Sequence, residues 1–328
     1  MRVLVTGATG FVGGAVALRL AREGRDVRAL ARPSADIKRL ADAGIEVVRG
    51  DVRDRDSLAL AMRGRSHVIH LAAAKSGSSA LLHDVNVRGT ANVMEAAREA
   101  DVQRVVFGST LGVHGFVAGT PIDERTPVRP NTLYRLTKWR GEEVVRAAHE
   151  RTSAPVVIAR ISSVIGRGAY GWLQLAQGIA AGRMRLVGDG TNSIDLVPVS
   201  DLVDGLVSCA ATPSIEGRLY VLGAGEPSTM AGFAASIAGA LGVPPPGPGL
   251  PAAPFLAAQH AAALVFRVTG FASRYVHGRE PLIADKRSIS DLARTELGYD
   301  PHASLEDAIR AMVDGFVAAG KLPERQPR

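Results

Sequence analysis

The first apolar run of this chain goes straight into glycines: Val3-Leu4-Val5-Thr6 is followed by Gly7-Ala8-Thr9-Gly10-Phe11-Val12-Gly13, then by an amphipathic stretch over 12–22. A buried strand, a turn with glycines three apart and a helix in direct succession leave few folds open. The turn must be tight, and the helix must pack back on the strand. Gly7 permits the bend, Gly10 lets backbone approach a pyrophosphate, and Gly13 lets helix and strand close on one another. The helix amino end offers free N–H groups and a positive dipole to the phosphates. The turn therefore reads as a dinucleotide-binding loop.

The same alternation continues. Short β-branched runs at 3–6, 26–31, 45–49, 68–71, 105–107 and 156–161 are mostly apolar on both faces, as strands covered by helices on either side must be. Between them 12–22, 56–62, 85–99 and 134–150 carry helical periodicity. This predicts an α/β fold, a doubly wound parallel sheet, over 1–165. A smaller substrate-binding lid is expected over 166–328, with a strand and helix near 196–224 returning to the sheet. The lid includes a glycine-rich segment at 166–190, a helix at 230–241 and a proline-rich, hydrogen-bond-poor connector at 243–251.

Other classes are disfavoured. Although 39 basic residues exceed 32 acidic ones, the excess of +7 is spread along the chain without basic runs or interleaved aromatics, so no nucleic-acid partner is expected. The single Cys209 excludes an internal disulfide, and no His/Cys cluster suggests a metal. The longest apolar stretch, 251–268, is interrupted by Gln259, His260 and Arg267 and falls short of the ~20 residues a membrane-spanning helix needs. The amino end reads as a strand rather than a leader, giving the expectation of a cytoplasmic protein.

Dinucleotide type is read where the second strand ends. A carboxylate there accepts from a ribose 2′-hydroxyl, whereas an arginine pairs a 2′-phosphate. The chain has Leu30-Ala31-Arg32-Pro33-Ser34, with no acid, and Asp26 lies at the opposite end of the strand. Arg32, with Ser34, favours NADP, with NAD still possible. Asp51, after the third strand, suits either the adenine amino group or the cap of the following helix. Further expected cofactor contacts are Thr9, Phe11, Val12, Val52, Leu71, Ala72 and Ala73.

Tyr134 and Lys138 stand four apart on one helical face, so both reach the same bound nucleotide. A phenol of pKa ~10 is a poor base near neutrality, but a neighbouring ammonium and a cationic nicotinamide both stabilise its phenolate. Thr6-Gly7-x-x-Gly10-x-x-Gly13, Gly50-Asp51, Asn86-Val87-x-Gly89-Thr90-x-Asn92, Ser109-Thr110 and Tyr134-x-x-x-Lys138 occur in order. The chain thus resembles the extended short-chain dehydrogenase/reductases, also called NAD-dependent epimerase/dehydratases. The likeness runs from Met1 to about Asp201, then more weakly through Glu296-Leu297-Gly298-Tyr299-Asp300-Pro301. It implies that Thr110, Tyr134 and Lys138 are catalytic, that Tyr134 and Lys138 also touch the cofactor, and that two copies pair through 85–99 and 134–150.

Departures from that pattern narrow the reaction. Leu111-Gly112 follow Thr110 where dehydratases carry an acidic pair, which disfavours loss of a hydroxyl. In Gly188-Asp189-Gly190-Thr191-Asn192-Ser193-Ile194-Asp195, Ile194 replaces the arginine with which epimerases bind a sugar diphosphate. His114 stands where the family often has tyrosine, leaving a substrate contact and a turn histidine both open, and Asp201 matches a family position of structural character. The expectation is an NADP-dependent oxidoreductase interconverting a ketone and a secondary alcohol on a small hydrophobic substrate. In resemblance terms this is the 3β-hydroxysteroid dehydrogenase-like, dihydroflavonol reductase-like or β-keto acid reductase-like branch. A nucleotide-sugar epimerase and a non-catalytic NADP-binding regulator are the alternatives; the intact Thr110, Tyr134 and Lys138 count against the second.

Overall fold

Successive residues of a strand point to opposite sides, so a strand apolar at every position demands a helical layer on each face. That is the arrangement in the computed structural model of the protein, which describes residues 1–115, 121–269 and 285–323. The chain begins β1 (Arg2–Thr6), α1 (Phe11–Arg22), β2 (Asp26–Ala31), α2 (Lys38–Ala41), β3 (Glu46–Arg49), α3 (Arg55–Met62), β4 (His67–His70) and α4 (Ser79–His83). It continues α5 (Gly89–Glu99), β5 (Arg104–Thr110), α6 (Leu133–Thr152), β6 (Val156–Ile161), β7 (Ser163–Ile165), α7 (Leu173–Ala180), β8 (Arg185–Val187), β9 (Ser193–Ile194) and β10 (Leu196–Pro198). The last elements are α8 (Val199–Ala211), β11 (Leu219–Leu222), β12 (Ser228–Thr229), α9 (Met230–Leu241), β13 (Gly247–Leu250), α10 (Ala252–Thr269), α11 (Asp291–Leu297) and α12 (Leu305–Ala318).

Seven strands form one parallel sheet in the order β11-β6-β5-β4-β1-β2-β3. The order reverses between β1 and β4, and a crevice opens at the carboxyl ends there. Val3 and Val5 face the layer holding Val16, Leu20, Leu206 and Tyr220, while Leu4 between them faces Leu58, Val93, Phe107 and Val145. All three strand residues are wholly buried, worth ~1.5–3 kcal/mol each. Cys209 lies in the first of these cores, its thiol pushed up to about 12 by burial. A third core joins α7, α9 and α12 through Ala176, Phe233, Ile237, Met312 and Phe316.

Several elements differ from expectation for physical reasons. The helix expected over 85–99 is interrupted: a π turn at Asp84–Arg88 precedes α5, and it turns the buried Asn86 inward. The glycine-rich segment contains α7 and β8. The proline-rich connector is not poor in hydrogen bonds throughout, because Gly247–Leu250 pairs with β8 and Leu250 accepts from the Gly188 amide at 2.7 Å. Asp201, at the start of α8, accepts from the Ala303 amide at 3.1 Å and ties the return helix to the approach of α12. Among the described residues no helix is long and apolar enough to cross a membrane, and no His/Cys/Asp/Glu group suits a metal ion.

Candidate active site

The glycine turn and the end of β4 meet at the sheet's switch point. Gly7 has φ +74°, and a methyl group on it would lie 2.7 Å from the Ala72 amide nitrogen. A methyl on Gly13 would collide with the Gly7 carbonyl oxygen, so α1 starts directly against the turn. Helix α1 is capped by Gly10 without a side-chain hydrogen bond, leaving first-turn amides of Phe11 and Val12 with no acceptor inside the helix. Those donors fit a dinucleotide pyrophosphate. Thr9 is exposed beside them. The Phe11 ring packs against Gly168, 3.2 Å from where a side chain there would begin, so its amide is the group left for a ligand.

A second chain of hydrogen bonds holds this turn from below. Thr6 Oγ1 bonds His70 Nδ1 at 2.7 Å and accepts from the Ala72 amide at 3.2 Å. His70 Nε2 donates to Thr90 Oγ1 at 3.2 Å, and Thr90 donates to the Asn86 carbonyl at 2.7 Å. Asn86 in turn exchanges bonds with both backbone groups of Ala74, at 2.8 and 2.9 Å, and donates to Thr137 Oγ1 at 2.9 Å. Thr137 lies between Tyr134 and Lys138, so the π turn connects the glycine turn, the loop after β4 and helix α6. Leu71, Ala72 and Ala73 line that loop half-buried.

The end of the crevice beside β2 and β3 is rich in arginine. Arg32 is exposed at the end of β2, and Ser34 is exposed nearby. Asp26, at the far end, pairs with Arg65 at 2.6 Å. Arg49 donates to the carbonyls of Arg32 and Ala35, at 3.0 and 2.8 Å, fixing the loop that presents Arg32. Arg39 was not singled out in the sequence; its guanidinium reaches within 3.7 Å of the Cβ position of Gly14, across the start of α1. Asp51 does not cap α3, because Asp54 does so by accepting from the Asp56 amide. The Asp51 carboxylate is instead bound by Arg53 at 2.8 Å, and that hydrogen bond, aided by the Arg53 and Arg32 charges, holds it below the usual carboxylate range. The Val52 side chain is buried against Gly89, which leaves only its backbone for a ligand.

At the other end of the crevice β5 extends to Thr110, paired with Ile161 of β6, which carries the threonine to the carboxyl rim. Thr110 Oγ1 accepts from the Gly112 amide at 3.1 Å, keeping its own proton for another acceptor. Helix α6 starts at Leu133, one residue before the expected 134, because Thr132 caps it by accepting from the Arg135 amide. Tyr134 therefore lies in the first turn and Lys138 one turn below. Burial pushes the Tyr134 phenol up to about 12 against the opposing charge of Arg135. Burial pushes Lys138 down to about 7, offset by Glu142 and reinforced by Lys75, and its Nζ lies 4.0 Å from the Phe107 ring centre.

Beneath this pair lies a charged cluster the motifs did not announce. Glu142, wholly buried on α6, accepts from Ser109 Oγ at 2.6 Å, Arg160 Nη2 and Nε at 2.8 and 3.1 Å, and Arg146 Nη2 at 2.8 Å. Extending the Tyr134–Lys138 spacing by one more turn would have found it. Arg160 Nη1 donates to His114 Nε2 at 3.2 Å, and His114 Nδ1 donates to the Pro127 carbonyl at 3.3 Å. His114 is thus a buried turn histidine with both ring nitrogens engaged by protein. Ile194, in place of a phosphate-binding arginine, is buried in the third core with Phe233 and Met312.

The two buried histidines make a prediction. Burial, with help from Lys138, depresses His70 to about 3; burial, with help from Arg160, depresses His114 to about 4. Below the unfolded value of ~6.5 the unfolded chain binds protons that the native one refuses, so stability falls as pH falls. The pair should contribute a slope of ~2–2.5 kcal/mol per pH unit between about pH 6 and 4.5. Urea unfolding at about pH 6 and 5 checks this: His114→Gln should remove roughly half of that contribution, and an unchanged slope would contradict it.

Known proteins share this fold. Residues 3–223 match the model of the NAD dependent epimerase/dehydratase family. A 2-alkyl-3-oxoalkanoate reductase of Stenotrophomonas maltophilia is 30% identical, the match covering 95% of this chain and 98% of that protein. A 3beta-hydroxysteroid-dehydrogenase/decarboxylase isoform 2 of Arabidopsis thaliana is 28% identical over 86% of this chain. This chain spans about half, 54%, of the plant protein's length. Among solved structures, gox2253 superposes with a TM-score of 0.83 at 30% identity, covering 98% of this chain and 99% of the other.

Proposed function

This chain belongs to the NAD dependent epimerase/dehydratase family, and on that footing we propose that it is an NADP-dependent oxidoreductase interconverting a ketone and a secondary alcohol on an apolar substrate. The reading is supported by Thr110 at the carboxyl end of β5, Tyr134 and Lys138 one turn apart on α6, and the glycine turn that leaves α1 without a side-chain cap. The nicotinamide, when bound, supplies or takes up the hydride. Tyr134, protonated in this environment, gives its proton to the substrate oxygen during reduction and recovers it during oxidation. Thr110 donates to the same oxygen and fixes its distance. Lys138 holds the nicotinamide ribose and, when charged, favours the phenolate left behind.

An apolar substrate is favoured by Ile194, which offers no charge to a diphosphate, and by Leu111-Gly112 after Thr110, which offer no acid for dehydration. The names of the two relatives, a 2-alkyl-3-oxoalkanoate reductase and a 3beta-hydroxysteroid-dehydrogenase/decarboxylase, support the same reading. The test is a panel of 2-alkyl-3-keto acids, steroids, flavonoids and nucleotide sugars followed by NADPH absorbance. Net NADPH loss with an apolar ketone is expected. Turnover of a uridine or guanosine diphosphate sugar without net NADPH consumption would point to an epimerase instead.

NADP over NAD rests on Arg32, with Arg39 beside the helix start and no carboxylate at the end of β2. Loss of a charge-assisted bond to phosphate costs ~1.5–3 kcal/mol, so Arg32→Ala should weaken NADPH binding ~10- to 100-fold and leave NADH unchanged. Equal effects on both coenzymes, measured by fluorescence titration, would remove the assignment. Pairing of two copies through α5 and α6 belongs to the same reading. Sedimentation should then return twice the chain mass of 34.3 kDa.

A further inference from the structure

We propose that Arg160 is a positioning residue that sets Thr110 against the Tyr134 and Lys138 face of α6, gripping the helix through Glu142 and the turn after Thr110 through His114. The proposal rests on the assignment of those three residues as the acid–base set. One planar guanidinium makes both grips. Its Nε and Nη2 bind Glu142 at 3.1 and 2.8 Å, and its Nη1 reaches His114 at 3.2 Å. A lysine presents its donors from a single atom and does not span both partners in this way. All three side chains are 2% exposed or less, so water does not substitute for any member.

The His114 end leads directly to Thr110. His114 closes the short turn Leu111–His114 that begins at Thr110. From outside, this turn is held by the Arg129 amide on the Val113 carbonyl at 3.0 Å and by His114 on the Pro127 carbonyl. From inside, it is held by Arg160. Within it, the Gly112 amide bonds Thr110 Oγ1 at 3.1 Å, so a shift of the turn rotates or releases the hydroxyl that meets the substrate oxygen. The Glu142 end leads to the helix. Glu142 lies one turn below Lys138 and two below Tyr134, and it is fastened to Ser109, the neighbour of Thr110 on β5. The cluster thereby fixes the strand, turn and helix that carry the three groups relative to each other.

A double-mutant cycle tests this, with the best ketone from the panel and NADPH. His114→Phe should lower kcat ~10- to 100-fold while leaving the NADPH dissociation constant within about twofold. His114→Gln, whose amide offers both a donor and an acceptor, should restore most of that loss. In a Thr110→Ala background His114→Phe should have no further effect, because the hydroxyl it positions is gone. Arg160→Lys, which keeps a charge beside Glu142 but gives up the fork, should show the same dependence on Thr110 and serves if His114→Phe does not fold. A wild-type kcat in His114→Phe, or an equal loss with and without Thr110, overturns the proposal. Wild-type turnover in both Thr110→Ala and Tyr134→Phe overturns the acid–base assignment itself, and this proposal with it.

Discussion

Tyr134→Phe should lose ~10²- to 10⁴-fold in kcat while binding NADPH as the wild type does and unfolding at nearly the same temperature. The substitution removes one oxygen from a side chain whose ring stays in the first turn of α6, so packing is kept. The hydroxyl's pKa of about 12 keeps it protonated across the working range, as suits a donor to a ketone oxygen. In this structure the charge acting on the phenol is that of Arg135, whereas Lys138 lies over Phe107 with a pKa of about 7. Oxidation of the alcohol therefore depends on the charges gathered when coenzyme binds, and its rate should rise with pH more steeply than that of reduction. Steady-state kinetics in both directions, with the coenzyme titrated separately, checks the prediction. Full turnover in the phenylalanine variant would refute the role of Tyr134.

The largest effect on stability is expected at Arg160. Removing one member of a buried ion pair leaves the other charged and uncompensated, at a cost of ~3–5 kcal/mol. Arg160→Met would leave Glu142 with Ser109 and the half-exposed Arg146, and would strip the donor from His114 Nε2. A fall of that size lowers the unfolding temperature by roughly 4–7 °C in a chain of this size. Replacing Glu142 and Arg160 together by methionine should destabilise less than the two single changes summed, because no buried charge then lacks its partner. Chemical unfolding decides: a single variant within about 1 kcal/mol of wild type, or a strictly additive pair, would show that the cluster does not behave as a coupled unit.

What the sequence revealed depended on how local the physics was. Strands β1, β2 and β6 were legible because each is mostly apolar on both faces, and the glycine turn because strand, spacing and helix follow one another without a gap. The Tyr134–Lys138 pair was legible because it needs only the pitch of one helix. The π turn at Asp84–Arg88 was not, since it depends on Asn86 bonding to Ala74 and Thr137, groups brought near by the fold. Asp51 was left open between the adenine amino group and the cap of α3, because the sequence does not show that Arg53 binds it and that Asp54 supplies the cap. Glu142, Arg160 and His114 lie on three separate elements, and nothing local marks them as partners. The lid was read least well: glycine and proline suggested loops where β8 and β13 pair, because strand pairing there joins segments far apart in the chain.

The most direct test follows the hydride itself. With NADPH carrying deuterium at both C4 positions and an apolar ketone accepted by the wild type, mass spectrometry should find one deuterium on the carbinol carbon of the alcohol and none elsewhere. That signal should fall with turnover in Tyr134→Phe while coenzyme remains bound. Alcohol without deuterium, or deuterated coenzyme left intact beside every ketone while a nucleotide sugar is epimerised, would contradict the account.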